Sequence, residues 1–471
     1  MTEYLSYLPA QYFAEISAIP RASGNETAIA DYLVSFAAKR GLDCYRDAAN
    51  NVFIKKGATA GRESEPAVLL QAHTDMVAEK TAAVQHDFET DGIALCQTGN
   101  ILSANGTTLG ADDGFGVAIM LSVLDGGAVS HPPLECLFTA SEEIGLVGAK
   151  AFDYSRITAR CVVNLDSTDE QEVITGCSGG VRTELSLPIG AANEKTTAVR
   201  LWLTGLAGGH SGEDIGKGRA NAHVTMGKLL AALQRHTAFR LCSLAGGDKD
   251  NAIPRECEAV LLADSEQGLT AFLKEKDALL ASFLTSPADA GATLTAEIVE
   301  TDRVLTRDDT ARILSALAVP NGVLEARDGA PYTSRNLAKI ETVADRIVLG
   351  FSSRSANEQA LDRSCAALDA LAVALGGTTR HFSRYPGWES AGESALCRAW
   401  QAAYACAVGK HCHPTVIHAG LECGIISAAL GGAEAISVGC NIHDLHTPAE
   451  RVALDSFERV YRTLLAFLKE C

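Results

Sequence analysis

The sequence has few basic residues for its number of acidic ones. Its 471 residues include 40 lysines and arginines against 58 aspartates and glutamates, which gives a formal net charge of -18. A protein that binds nucleic acid needs a concentrated basic surface to neutralise the phosphates. The composition therefore argues against a polyanionic partner, and we expect no nucleic-acid function.

The sequence also lacks a hydrophobic run long enough to cross a membrane. A transmembrane helix needs about 20 apolar residues in succession, and the longer apolar stretches, such as Gly116–Leu124 and Ala366–Leu375, are much shorter. No basic residue precedes Arg21, whereas a secretory signal starts with a positively charged segment. We expect neither a membrane span nor a secretory signal.

Closely paired cysteines are missing as well. The 14 cysteines are scattered along the chain, and none has the CxxC spacing of a compact metal or redox motif. In a chain of this length, such cysteines are typical of small buried residues in a reducing compartment. The pattern predicts free thiols and a cytoplasmic location.

The length of the chain predicts two domains, because 471 residues exceed one ordinary hydrophobic core. Up to about residue 187, short runs rich in Val, Leu and Cys alternate with helical patterns, which predicts an α/β layered domain. The predicted helices are Pro9–Ile19, a second helix that opens after Ser23, and Gly114–Leu124, and the predicted strands are Val52–Lys55, Ala67–Ala72, Leu134–Thr139 and Cys161–Leu165.

The pattern changes between residues 188 and 385 and returns over residues 386–471. The middle segment contains two strand-loop-helix units. In one, strand Val199–Leu203 precedes a glycine-rich loop with His210; in the other, strand Arg346–Gly350 precedes a serine-rich loop with Arg354. We predict that this segment is an inserted α+β domain, and the two units suggest that it contains two similar halves. The insert separates a first part (1–187) of the α/β domain from a second part (386–471).

Polar residues follow several predicted strands, at the edge where open α/β sheets place their sites. A single histidine after a strand is usually a hydrogen-bonded neighbour, an aspartate before a helix is usually a cap, and paired glutamates are usually solvated. Together, however, these residues have the number and hardness of ligands that a two-metal hydrolytic site needs. They are His73, Asp75, Asp112, Asp113, Glu142, Glu143, Asp166 and His446.

These motifs resemble the M20 metallopeptidases. The shared motifs are His73-Thr-Asp-Met-Val77, Gly110-Ala-Asp-Asp-Gly114, Glu142-Glu143, Asn164-Leu-Asp166 and His446-Thr-Pro448. Further stretches look like the aminoacyl-histidine dipeptidase branch, also called Xaa-His dipeptidase, peptidase D or cytosolic beta-alanyl-histidine dipeptidase. They are Ile19–Glu26, Gly208–Gly212, Asn251–Arg255 and His418–Gly424, and the resemblance covers nearly the full chain in order.

The resemblance implies a zinc-peptidase-like α/β/α catalytic domain interrupted by an α+β lid domain. It also implies one metal ion held by His73 and Asp166, a second held by Glu143 and His446, and Asp112 as the bridge. Zinc suits this set of nitrogen and oxygen ligands, and manganese or cobalt could also bind.

The same resemblance implies the catalytic roles. Asp75 would accept a hydrogen bond from His73 and fix its tautomer, and Glu142 would be the general base. Adjacent residues of an extended strand point to opposite sides, so we expect a local turn at Glu142 and Glu143. His210 would stabilise the oxyanion.

Arg354, helped by Asn251 and the Gly420 backbone, would bind the carboxyl terminus of a small peptide substrate and so select for length. The resemblance is also compatible with a homodimer.

Two other interpretations of the sequence stay open. One is another reaction on the same scaffold, either N-acyl amino acid or carbamoyl hydrolysis or a broader di- and tripeptidase. The other is an inactive homologue that serves in binding.

Overall fold

The computed structural model describes residues 7–126, 129–390 and 392–470, which fall into two compact units. The first six residues, on which the expected absence of a secretory signal partly rests, lie outside this range. The first unit comprises the described residues within Met1–Cys177, Trp388–Ile417 and Leu421–Cys471, and the second comprises Ser178–Gly387 and His418–Gly420. The second unit thus begins earlier than the predicted residue 188 because the strand that precedes Pro188 pairs within it. No helix in the described ranges is long and apolar enough to span a bilayer.

The first unit opens with two helices and then alternates strands with helices. In order, its elements are α1 (Leu8–Ser17), α2 (Thr27–Arg40), β1 (Asp43–Arg46), β2 (Val52–Lys56), β3 (Val68–His73), β4 (Leu95–Thr98), β5 (Ile101–Ala104), α3 (Ala111–Asp125), β6 (Leu134–Thr139), α4 (Val147–Ala151), β7 (Cys161–Ser167) and β8 (Glu172–Cys177).

The second unit is richer in strands. Its elements are β9 (Gly179–Pro188), β10 (Ala191–Thr204), β11 (Gly209–His210), α5 (Ala222–Leu233), β12 (Phe239–Ala245), β13 (Ala252–Ile253), β14 (Cys257–Ala263), α6 (Glu266–Phe283), β15 (Thr293–Leu305), α7 (Arg307–Leu317), β16 (Gly322–Arg327), β17 (Ala330–Thr342), β18 (Arg346–Ser355), α8 (Glu358–Ala374) and β19 (Thr378–Tyr385).

The chain then returns to the first unit. The remaining elements are α9 (Ala395–Val408), β20 (His413–Ile417), α10 (Glu422–Ala429), β21 (Glu434–Gly439), β22 (Ile442–His443), β23 (Arg451–Ala453) and α11 (Leu454–Glu470).

An eight-stranded sheet organises the first unit, in the order β1-β2-β6-β3-β7-β21-β8-β20. Its centre is parallel: Val68–Gln71 of β3 pair with Leu134–Leu137 of β6 and with Cys161–Asn164 of β7. β3 and β6 are buried at every position, as expected for a parallel sheet covered on both faces. The carboxyl ends of β3, β6 and β7 therefore meet at one edge.

Successive side chains of a strand point to opposite faces of the sheet. The buried strands therefore present apolar side chains on both faces, and helices cover both. Val68, Leu70 and Ala72 pack into a core with α1, α2, α3, α9 and α11. Leu69 points the other way, into a core that includes α10 residues such as Ile426. The fold prediction of an α/β/α domain interrupted by an α+β domain is confirmed.

The second unit contains two larger antiparallel sheets, ordered β12-β14-β10-β15 and β16-β17-β18-β9-β19, and the short pair β11-β13. Leucines from both larger sheets and from α5, α7 and α8 share one core. One local prediction was wrong: Arg354 lies inside β18 and not in a loop after it. The strand continues through its serines because β17 and β9 pair with it on both sides, as far as Ser355.

Candidate metal centre

The parallel strands of the first unit bring three of the predicted ligand segments to the same sheet edge. His73 is the last residue of β3, Glu142 and Glu143 follow β6, and Asp166 is near the end of β7. Since β3 lies between β6 and β7, residues that are distant in sequence become neighbours. The buried apolar strands thus position these polar residues at one edge of the sheet.

Asp112 lies between the two predicted histidine ligands. Its Oδ1 is 3.0 Å from Nε2 of His73, and its Oδ2 is 3.2 Å from Nε2 of His446. His446 Nε2 also lies 2.9 Å from Oε1 of Glu143, while His73 Nε2 lies 3.7 Å from Oδ1 of Asp166. The structure therefore brings all five predicted metal ligands together, with one carboxylate shared between two pairs.

The other ring nitrogen of His73 faces Asp75. Nδ1 is 3.1 Å from the backbone carbonyl oxygen of Asp75 and 3.4 Å from its carboxylate Oδ1. Both of these groups accept hydrogen bonds, so Nδ1 carries the proton in the neutral ring. Nε2 then presents its lone pair toward Asp112 and Asp166, as a metal ligand must.

The local turn expected at the paired glutamates is present. Ser141 has a left-handed φ of 55°, and the N–H groups of Gly145 and Leu146 donate to the carbonyl oxygen of Glu142. The N–H groups of Glu142 and Glu143 donate to the Asp75 carboxylate at 2.9 and 3.2 Å. Asp75 therefore contacts both the His73 ring and the backbone that carries the two glutamates.

The close carboxylates favour protonated imidazoles. Burial lowers the pKa of His73, but the charge of Asp166 and hydrogen bonds to Asp112 and Asp75 raise it well above its ordinary value. The His446 side chain is 49% exposed, so only partial burial opposes the charged ring, and hydrogen bonds with Asp112 and Glu143 raise the pKa to about 11. The carboxylates of the cluster therefore favour the protonated form of both imidazoles.

Two partly buried acids of the cluster, Glu142 and Asp166, have raised pKa values. Burial raises the pKa of Glu142 well above its ordinary value, and the nearby charges of Glu143 and Glu422 add to that effect. Burial and the charge of Asp112 raise the pKa of Asp166 in the same way. A raised carboxyl pKa lies closer to the operating pH of an enzyme and so favours a role in proton transfer.

The donor set fits divalent metal ions. Ligand atoms of His73, Asp112 and Glu143 all lie within 4.8 Å of one another. Two imidazole nitrogens and three carboxylates are a combination that zinc, manganese and cobalt accept. With neutral imidazoles the three carboxylates carry three negative charges, which a pair of dications offsets.

The predicted substrate residues lie together in the second unit. Arg354 is 4% exposed, and among the described residues no carboxylate lies within ion-pair distance of it. Its Nη1 donates to the Tyr385 hydroxyl at 2.8 Å, and its Nη2 lies 3.4 Å from Nε2 of His210. A buried guanidinium with only neutral partners is a ready site for an anion.

The remaining predicted residues border this cluster. His210 is in β11, which pairs with β13, and the carbonyl oxygen of Asn251 accepts from Ser211 at 2.8 Å. Gly420 lies against Tyr385, because a Cβ placed on it would come within 2.8 Å of the ring. Gly209 in the His210 loop has a φ of +135°, a conformation that favours glycine.

Sequence reasoning missed His418 and Tyr385 beside Arg354. Nε2 of His418 lies 2.7 Å from the Ser334 hydroxyl, and burial together with the charge of Arg354 lowers the pKa of His418 to about 4. His418 belongs to the stretch that pointed to Gly420, which was the signal that could have found it. Tyr385 carried no such signal, because it stands in an ordinary edge strand.

Sequence reasoning also missed a chain of buried polar residues beneath the predicted metal ligands. Asn164 donates to Gln71 at 2.7 Å, Gln71 donates to Glu422 at 2.5 Å, and Thr139 donates to Glu422 at 2.7 Å. Burial raises the pKa of Glu422 to about 7. This chain crosslinks β3, β6 and β7 just before their ligand-bearing ends.

Comparisons with known proteins show what this chain is similar to. The M20 peptidase dimerisation domain matches residues 201–288, and peptidase family M28 matches residues 51–199. The cytosol non-specific dipeptidase of Escherichia coli K12 is 35% identical over 97% of this chain and 96% of its own length.

Solved structures show the same likeness. Aminoacylhistidine dipeptidase from Vibrio alginolyticus superposes with a TM-score of 0.86 at 34% identity, covering 100% of this chain and 99% of that one. A tripeptidase from Staphylococcus aureus shares the fold, with a TM-score of 0.61 at 16% identity, covering 98% of this chain and 97% of that one.

We predict that metal binding releases protons from His73 and His446 at neutral pH. Both imidazoles have raised pKa values, and a metal ion needs the deprotonated nitrogen, so affinity should rise from about pH 6 to about pH 8. Calorimetric titration of zinc in two buffers with different ionisation enthalpies measures the released protons.

The variant His446→Ala should release fewer protons than the wild type. His381→Ala, which removes an imidazole in the second unit, should release as many. Binding heats that do not depend on the buffer would contradict this prediction.

Proposed function

This chain belongs to the M20 family of metallopeptidases, and from that premise we propose that its substrates are unblocked dipeptides, with Xaa-His dipeptides such as beta-alanyl-histidine (carnosine) among them. It is a metallo-dipeptidase, a hydrolase of the M20 type. The names of two relatives support the proposed substrates: one is a non-specific dipeptidase and the other an aminoacylhistidine dipeptidase.

The observation that carries the proposal is the buried Arg354. This residue is 4% exposed, and its guanidinium contacts a tyrosine hydroxyl and an imidazole. A substrate carboxylate would supply the missing negative charge, and a planar fork of donors binds a carboxylate in two places. A longer peptide would present a neutral amide at that position, which leaves the arginine unpaired. Arg354 would therefore select for dipeptides, with Asn251 and the Gly420 backbone as neighbours.

We assign the metal ligands as the resemblance implies. His73 and Asp166 would hold one ion, Glu143 and His446 the other, and Asp112 would bridge them, which fits the short distances from its two oxygens to both imidazoles. Zinc is the proposed ion at both positions, and manganese or cobalt would suit the same ligands. When bound, such a pair polarises the scissile carbonyl and lowers the pKa of water.

The protein groups then move the protons and hold the geometry. Glu142 would take a proton from the attacking water and deliver it to the leaving amine, and its raised pKa supports that role. Asp75 would keep the proton of His73 on Nδ1, where it lies near the Asp75 carbonyl. His210 would donate a hydrogen bond to the developing oxyanion.

Assembly and location are part of the same proposal. The match of residues 201–288 to a peptidase dimerisation domain supports a homodimer. The cytosolic relative and the free thiols at the described cysteines support a cytoplasmic protein.

The purified protein should hydrolyse a panel of unblocked dipeptides, including beta-alanyl-histidine, and should lose activity after treatment with EDTA. Zinc, manganese and cobalt, added in turn, should restore it to different extents. Hydrolysis rates measured with tripeptides and with N-acyl amino acids test the two other substrate classes. Full turnover in EDTA, by protein without bound metal, would contradict the metal mechanism.

Glu142→Gln should keep its metal but lose turnover by about 10²- to 10⁴-fold, since the amide cannot accept the proton. Metal content and kcat are the two measurements. The matched control is Glu135→Gln, which alters a buried glutamate whose partners are Lys55, Thr158 and Ala159. A Glu142→Gln protein with a wild-type rate would give the role of base to another group.

Arg354→Lys should reduce kcat/KM for a free dipeptide by about 100-fold, because a lysine keeps the charge but loses the planar fork. The rate on the C-terminal amide of the same dipeptide should change little. Arg335→Lys, at a buried arginine that donates to Ser364, is the matched control. If Arg354→Lys kept the wild-type preference for the free carboxylate over the amide, Arg354 would not be the residue that selects for dipeptides.

A further inference from the structure

The helix that carries Asp112 begins without a cap of its own. Gly110 occupies the position before α3 with a left-handed φ of 67°, and it has no side chain to accept hydrogen bonds. The first N–H groups of any helix lack partners within the helix. Here that end is buried, and an unpaired buried N–H is unfavourable.

Glu450 provides the missing acceptor from a distant part of the chain. One carboxylate oxygen, Oε2, accepts from the N–H groups of Leu109 and Gly110 at 2.8 and 3.0 Å. The other, Oε1, accepts from Ala111 at 2.7 Å and from Asp112 at 3.4 Å. Glu450 is 3% exposed and follows His446 in the same segment. It therefore ties the His446 segment to the backbone of Asp112.

Arg21 makes the complementary connection through carbonyl groups. Its Nη2 donates to the carbonyl oxygen of Gly110 at 2.5 Å, and its Nη1 donates to those of Thr74 and Asp75 at 3.1 and 3.2 Å. Arg21 is 2% exposed. A Cβ at Gly110 or Gly114 would come within 2.5 or 2.6 Å of Nη2, so these glycines make room for the guanidinium.

One buried anion and one buried cation thus hold three ligand-bearing segments. Arg21 joins the end of β3, which carries His73, to the start of α3. Glu450 joins the start of α3 to the segment of His446. The peptide groups of residues 109–112 lie between the two opposite charges, with N–H groups facing Glu450 and the Gly110 carbonyl facing Arg21.

We propose that Glu450 and Arg21 are positioning residues, which fix Asp112 between His73 and His446 at the spacing that two metal ions require. We assign neither residue a contact with the substrate. The inference rests on the proposed function in one respect, since it takes the cluster to be a metal site. Groups that orient ligands typically change metal affinity by about 10- to 100-fold when they are altered.

A simpler explanation is that Glu450 only caps a helix and stabilises the fold. That role would lower the thermal stability of a variant and leave its metal site unchanged. Metal affinity and the absorption spectrum of bound cobalt(II), which reports ligand geometry, separate the two roles.

The test compares Glu450→Gln with Glu135→Gln in the full chain. The first change puts an NH₂ group against the N–H donors of the α3 end. The second alters a glutamate that is 3% exposed and accepts from the N–H groups of Thr158 and Ala159 at 2.9 and 3.0 Å. Glu135 lies at the start of β6, whereas the ligands follow the end of that strand.

We expect Glu450→Gln to bind cobalt(II) and zinc about 10- to 100-fold more weakly than the wild type and to shift the cobalt spectrum. Glu135→Gln should lose thermal stability while keeping both properties. If Glu450→Gln does not fold, Glu450→Asp, which keeps the charge on a shorter side chain, should show the same changes.

Wild-type affinities and an unchanged cobalt spectrum in the folded Glu450 variant would overturn this inference. An inability of the wild-type protein to hydrolyse dipeptides would instead contradict the proposed function. The two results are independent because metal affinity is measured without substrate.

Discussion

The structure depends on the position of Asp112 between His73 and His446. Each oxygen of this carboxylate lies close to one imidazole, at 3.0 and 3.2 Å. Asp166 and Glu143 complete the cluster from either side. Such a concentration of acids is unfavourable away from water unless cations offset it. In the proposed enzyme two metal ions would offset these charges.

The fold supplies what this cluster requires. Parallel pairing of β3 with β6 and β7 brings three ligand segments to one edge, and the buried chain from Asn164 to Glu422 links those strands just below it. Asp75 holds the turn with the two glutamates. Glu450 and Arg21, by our inference, align the start of α3 with its neighbours. In the proposed metal site, the backbone groups of residues 109–112 would therefore help to position the ligand side chains.

The residues of the proposed metal cluster could be selected from the sequence, because they follow apolar runs that are typical of buried strands. Arg354 was harder, since its strand ends in serines and looks like a loop. Only pairing on both sides, visible in three dimensions, keeps it extended. The same reason explains why the second unit begins at Ser178: β9 belongs to its sheet. Glu450 and Arg21 contact backbone groups far away in sequence. Arg21 lies in the Ile19–Glu26 stretch that carries the resemblance, but nothing in that stretch, or near Glu450, indicates these contacts.

The most direct test of the central claim is anomalous diffraction from crystals of the zinc-loaded protein, recorded at the zinc edge. The account predicts two peaks, about 3.5 to 4 Å apart, one beside His73 and Asp166 and one beside Glu143 and His446, with Asp112 between them. A single peak, or peaks away from these residues, would contradict it.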